Sequence, residues 1–117
     1  MNLLKLVVTC VAIAIAAFVV YRLYEQRETA RLNNEAATLV GQGQYAQAVE
    51  RLQAAQRNDP DNPTIWKNLG TAYEELDDPR RAIEAYERSL ALWADQPALR
   101  TRLEALKKIA AHRAPAP

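Results

Sequence analysis

The chain changes rhythm once. From Leu6 to Tyr21, sixteen residues carry no charge and are rich in Val, Ile and Ala. After Arg22 the apolar positions thin out and recur at helical spacing. Trp66, Leu69, Gly70 and Tyr73 stand at i, i+3, i+4 and i+7, so they share one face of a helix over about 63–76. Ile83, Tyr86, Leu90 and Leu92 give the contacts of a second helix over about 79–92. Leu99, Leu103, Leu106 and Ile109 form the stripe of a third over about 97–112, with Arg100, Arg102, Glu104, Lys107 and Lys108 facing elsewhere. Leu32, Ala36 and Leu39 mark one face of 25–40. Every predicted element is helical, so the fold class is all-α.

The punctuation agrees. Asn62 before Pro63 and Asp78 before Pro79 read as N-cap followed by N1, and so does Gln96 before Pro97 with Asp95 nearby. Proline wastes no hydrogen bond at N1, where the N–H would be unpaired anyway. A glycine inside a helix costs about 1 kcal/mol against alanine. Gly70 is therefore expected to mark a close crossing, with Ala82 as the small residue facing it. No Gly or Pro occurs between Met1 and Val40, so the apolar helix can run on into the one carrying Leu32. Forty such residues would measure about 60 Å.

The pattern Trp66-x2-Leu69-Gly70-x2-Tyr73, followed by Ala82-x3-Tyr86, resembles the tetratricopeptide (TPR) helix-turn-helix repeat. The bland alternative is a helical hairpin with an aromatic core. Shifted back by about 34 residues, a second copy stands in which Ala48 answers Ala82, Leu52 answers Tyr86, Leu32 answers Trp66 and Leu39 answers Tyr73. Ala36 occupies the place of Gly70, and Gly43, Tyr45 and Ala46 form the corner between helices. This copy departs from the pattern at Leu32, in the tryptophan position, and at Glu35, in the leucine position. The resemblance implies an α-solenoid: repeat 1 over 29–62, repeat 2 over 63–96, a capping helix over 97–112, and a tail over 113–117. Two repeats and a cap fall below the three such solenoids usually need. The continuous apolar helix, a partner or self-association could compensate.

The apolar segment is expected to be a transmembrane anchor over 1–24, spanning about Leu3 to Tyr24. Sixteen uncharged residues are slightly short of the roughly 20 a bilayer requires. Lys5 and Arg22 can snorkel, and Tyr21 and Tyr24 suit the interface. A buried core helix is the alternative, but this repeat has no place for a helix apolar all round. A cleaved signal peptide competes through Ala14-Ile-Ala16, although Phe18, Val19 and Val20 continue the apolar run with no polar region before the cut. Cys10 does not suit lipid attachment, because Thr9 precedes it. Arg22, Arg27 and Arg31 lean toward a cytoplasmic domain, whereas the short basic start resembles anchors of periplasmic domains. The side stays open. Richness in Ala and Arg points to a bacterial inner membrane.

Charge removes other classes. The net charge of +1, with acids and bases interspersed, lacks the basic stripe of a nucleic-acid binder. The only cysteine is Cys10, inside the apolar run, so the rest can form no disulfide among its own residues. His112 has no second His or Cys for a zinc set and fits a helix C-terminus. Glu74-Glu75 and Asp77-Asp78 lie at a helix end and turn. No phosphate loop or nucleophile elbow occurs. No cofactor and no enzymatic activity are expected.

By resemblance, helix A residues line a groove where protein partners bind. The implied positions are Ala30, Asn33, Ala37 and Val40, then Thr64, Lys67, Thr71 and Glu74, then Ala98, Thr101, Ala105 and Lys108, flanked by Asn68 and Arg102. Plain solvent exposure is the alternative for Lys67, Thr71 and Glu74. The family's clamp for a C-terminal carboxylate needs a lysine and an asparagine where this chain has Asn33 and Ala37, so that clamp is not expected. The implied function is a membrane-anchored scaffold or adaptor, such as an accessory subunit of a membrane complex. The alternative is a filament subunit or homo-oligomer with the apolar helix in its core, against which Lys5 weighs.

Overall fold

The computed structural model describes residues 2–113, which form five helices and no strand. They are α1 (Leu3–Gly41), α2 (Tyr45–Asn58), α3 (Pro63–Glu75), α4 (Pro79–Leu92) and α5 (Pro97–Arg113). Beyond Arg113 the expected tail lies outside the described residues. Arg113 itself closes α5 and pairs with Asp77 across the turn between α3 and α4.

Composition makes α1 continuous. Its 39 residues contain no proline, and Gly41 is its last residue. At 1.5 Å per residue it is about 58 Å long. Residues 3–24 are all exposed, their large apolar side chains from Leu3 to Tyr24 included. The most apolar window has a mean hydropathy of 2.7 with none of it buried, long and apolar enough to cross a membrane. It is therefore not a core helix of this fold. The second half of α1 buries Thr29, Leu32 and Ala36 against α2.

The two turns that close the hairpins are copies of each other, 34 positions apart. Gln44 N–H donates to Leu39 O (2.8 Å) and Gly43 N–H to Val40 O (3.0 Å). Asp78 N–H donates to Tyr73 O (2.9 Å) and Asp77 N–H to Glu74 O (3.0 Å). This is the paired bonding that finishes a helix with a left-handed residue. That residue is Gly43 (φ 74°) in the first turn and Asp77 (φ 56°) in the second. Aspartate tolerates the conformation better than most side chains. The caps also form as read: Asn62 Oδ1 accepts from Thr64 N–H (3.0 Å) and Asp78 Oδ1 from Arg81 N–H (3.2 Å).

The core has two parts. Leu32, Ala36, Leu52, Ala55, Ile65, Leu69 and Ala72 belong to one, and Ala82, Tyr86, Leu99, Leu103 and Leu106 to the other; Tyr73 packs against both. Leu52 is wholly buried. Truncating such a leucine to alanine costs about 2–5 kcal/mol, a large share of the 5–15 kcal/mol typical of a whole domain.

Four details differ from expectation, and the departure already visible at Glu35 gains a cause. The nearest neighbour of Gly70 is Tyr86 in place of Ala82: a Cβ there would run into the ring, with Cγ at 3.1 Å. Helical spacing put Gly70 on the correct face, but the bulky neighbour is one turn further along α4. Trp66 is only partly buried, at the margin of the core, because its Nε1 donates outward to Pro60 O (2.7 Å). Gln96 does not turn toward α5 as a cap. Its Nε2 points inward to Ser89 Oγ (3.1 Å), Ser89 O (3.3 Å) and Trp93 O (2.8 Å). Ile109 leaves the apolar stripe and is exposed. Glu35 stands half-exposed in a leucine position because it pairs with Arg31 and with Arg51 of α2 (3.5 Å).

Candidate partner-binding groove

Helices α1, α3 and α5 run in the same sense, and Asn33, Ala37, Lys67, Asn68, Thr71, Glu74 and Arg102 border hollows between them. Three hollows lie along this face: one of about 320 Å³ beside Ala30, Asn33 and Thr64, and an adjoining pair. The first of the pair, about 160 Å³, sits between α1 and α3 and is lined by Ala36, Ala37, Val40, Leu52, Asn68 and Thr71. The second, about 300 Å³, sits between α3 and α5 and is lined by Lys67, Thr71, Glu74, Glu75, Tyr86, Leu99 and Arg102. Thr71 borders both, so the two hollows adjoin.

Small residues make the first hollow. Ala36 and Ala37 leave a gap that larger side chains would fill, and Leu52, itself wholly buried, lies beneath it. Its rim is fixed by Asn68 Nδ2 donating to Asn33 Oδ1 (2.8 Å), a bond that joins α1 to α3.

The second hollow is organised around Glu74. Arg102 of α5 grips both its carboxylate oxygens, Nε reaching Oε1 at 3.0 Å and Nη2 pairing with Oε2. Tyr86 also donates its hydroxyl to Glu74 Oε1 (2.9 Å) and lies 3.3 Å from Thr71 Oγ1. Thr71 bonds Lys67 O (3.2 Å) within its own helix. Burial pushes the Tyr86 hydroxyl up to about 12; the bond to Glu74 adds to the rise and the contact with Thr71 opposes it. The ring is therefore neutral and remains a donor at ordinary pH.

The structure thus joins Asn33 to Asn68 and Glu74 to Arg102, links Thr71 to Glu74 through the Tyr86 hydroxyl, and places Ala37 across the first hollow from Asn68. Lys67 stands at the edge of the second. Thr101 lines none of the three hollows and bonds Pro97 O in its own helix (3.1 Å). Glu74 and Arg102, read separately from sequence, are one ion pair. Tyr86, Leu52 and Leu99 were expected only as core, yet all three also border the groove. The one sequence signal for Tyr86 is its hydroxyl, which a purely apolar contact would not require.

The opposite face is differently built. Arg88 lies over the Trp66 ring (5.9 Å) and Arg81 over Tyr73 (5.8 Å). His112 Nδ1 lies 2.9 Å from Lys108 O in the last turns of α5.

Stacked helix-turn-helix units closed by a single helix define an α-solenoid of helical repeats. Residues 33–97, more than half of the chain, match the family model for the tetratricopeptide repeat. The chain belongs to that family. Among solved structures it is similar to the second TPR of Spaghetti (RPAP3) bound to HSP90 peptide SRMEEVD. The TM-score is 0.73 at 14% identity, over 79% of this chain and 84% of that one. It is also similar to the Sgt2 TPR domain from Aspergillus fumigatus, with a TM-score of 0.67 at 30% identity. That alignment covers 76% of this chain and 62% of the other, so less than two thirds of the Sgt2 chain is spanned. No curated protein matches in sequence. A TPR domain is a protein–protein interaction scaffold, and the family's modules are in general not enzymes.

Proposed function

We propose that this protein is a membrane-anchored TPR adaptor, an accessory subunit of a membrane complex in a bacterial inner membrane. Residues 1–24 serve as the anchor and 25–112 as the binding domain. The observation that carries this reading is the continuity of α1: one helix supplies both a wholly exposed apolar half and the first wall of the groove. The side of the membrane that the domain occupies stays open.

Partners bind the groove through Asn33, Ala37, Lys67, Asn68, Thr71, Glu74, Thr101 and Arg102. The neighbour that holds an HSP90 peptide supports an extended peptide as the kind of ligand. The mode of grip differs from a carboxylate clamp, since Asn33 and Ala37 offer no cation there. The hollow beside Ala37 and Val40 instead suits an aliphatic side chain, with Asn68 and Thr71 placed to bond peptide groups beside it.

The test is alkaline carbonate extraction of membranes, followed by crosslinking and pull-down of the full chain from detergent. Retention in the pellet and a co-purified membrane complex support the adaptor. Release of full-length protein removes the anchor, and a shortened amino terminus near Ala17 would establish a signal peptide. A detergent-resistant polymer of this chain alone would establish the filament subunit in place of the adaptor.

A further inference from the structure

Helix direction sorts the loops into two groups. Helix α1 runs away from its apolar half, α2 returns, α3 runs away, α4 returns and α5 runs away. The turns at 42–44 and 76–78 therefore lie at the far end. The loops at 59–62 and 93–96 lie at the end where the apolar half begins. Their height follows from contacts. Asn58 and Asp59 share a crevice with Arg22, Gln26 and Thr29 of α1. Ser89 Oγ donates to Pro63 O (2.8 Å), which levels the end of α4 with the start of α3. Trp93 lies one helical turn beyond Ser89, about 6 Å nearer to that end.

Trp93 is the exception in its neighbourhood. The other tryptophan, Trp66, is partly buried and its N–H is bonded. Trp93 is 53% exposed in the cap after α4, its backbone N–H donating to Ser89 O (2.9 Å) while its ring faces solvent. Leu76 and Ile109, the other exposed large apolar side chains after Tyr24, lie toward the opposite end. Residues 25–29 rise only about 2–8 Å beyond Tyr24 along α1. That matches the depth of one headgroup layer, given about 30 Å of hydrocarbon within a bilayer of about 40–45 Å.

We infer that Trp93 is a second membrane contact, seated in the headgroup layer of the bilayer that α1 crosses; this rests on the anchor reading. Tryptophan suits that layer because its ring is apolar and its N–H can still find a partner. The loop end carries Arg22, Arg57 and Arg100 but also Asp59, Asp61 and Asp95, so charge does not draw it down. The contact is therefore insensitive to salt. Two attachments in place of one stop the solenoid from tipping about the exit of α1.

The experiment reconstitutes the full chain and Trp93→Phe in phosphatidylcholine vesicles, with lipids brominated near the glycerol end of the acyl chain. The chain holds two tryptophans, so the contact predicts loss of roughly half the native emission, and little loss in Trp93→Phe. Trp66→Phe, which leaves Trp93 as sole reporter, is expected to lose most of its emission, and high salt should change none of this. Vesicle flotation separates the two readings. A chain that floats but is quenched no more than Trp93→Phe overturns the contact alone, and leaves Trp93 to a protein partner. A chain that does not float overturns both the anchor and the contact.

Discussion

The ring of Tyr86 lies directly over Gly70, leaving no room for a Cβ on the helix beneath it. The hydroxyl at the other end of that ring is held by Glu74 and Thr71, so the ring is pinned at its tip and cannot swing clear cheaply.

Gly70→Ala is therefore expected to destabilise the domain, although alanine is the better helix former by about 1 kcal/mol. Overpacking of about 1–3 kcal/mol outweighs that gain. Gly70→Leu should prevent folding. Urea unfolding of the full chain in detergent checks this. Combining Gly70→Ala with Tyr86→Leu should cost less than the two single changes added, because the clash is shared. An additive pair would mean that the ring does not cover Gly70.

Alkaline titration reads the same tyrosine. Unfolded, its hydroxyl ionises near 10.0; folded, it keeps its proton to about 12. The stabilisation is fully present below pH 10 and is lost as pH rises toward 12, at about 1.4 kcal/mol per pH unit. The comparison is with Tyr86→Phe. Its stability should fall less steeply across that window. Parallel curves would refute the assignment.

Ser89 is wholly buried and joins three segments: it donates to Pro63 O and receives from Gln96 Nε2. Ser89→Ala removes the bond to the Pro63 carbonyl and one of the three acceptors around Gln96 Nε2, at a cost of about 0.5–1.5 kcal/mol. Thermal unfolding should show it, and Ser89→Cys should recover part of the loss. Ser89→Thr should not, since it adds a methyl group to a wholly buried site.

Partner binding should be sensitive to the first hollow. Ala37 is exposed at its rim, so Ala37→Phe should obstruct the hollow and leave the core intact. A tenfold or greater loss of affinity, about 1.4 kcal/mol, is expected in the pull-down with an unchanged melting midpoint. Arg80→Glu with Glu84→Lys on the far face exchanges a surface pair and should leave binding unaltered. Loss of the partner in the second protein but not in the first would move the site to the outer face.

Much of this architecture is legible in the chain because its determinants are local. Asn62-Pro63 and Asp78-Pro79 announce helix starts through bonds spanning two or three residues. The apolar faces of α3 and α4 follow from spacing alone. What the spacing does not encode is which residue meets which across helices. Asn33 and Asn68 are 35 residues apart, and Glu74 and Arg102 are 28 apart. Each looks like a free polar position in its own helix, and only the stacking brings the partners within reach. Gln96 misleads for a related reason: Ser89 and the end of α4 compete for its side chain and win it from the cap. The solenoid is readable, and the family resemblance marks the groove's face, but the pairing within that face is a product of tertiary packing.

Helix α1 also has a directional consequence. The groove has no swivel between it and the apolar half, so the compass heading of the groove is set by helical phase. Adding one residue near Arg27 would turn the whole solenoid by about 100° and lift it by about 1.5 Å. Adding seven would lift it by about 10 Å and bring the heading back to within about 20°. A partner fixed in the same bilayer would thus lose the groove after one added residue and find it again after seven, with no residue of the groove altered.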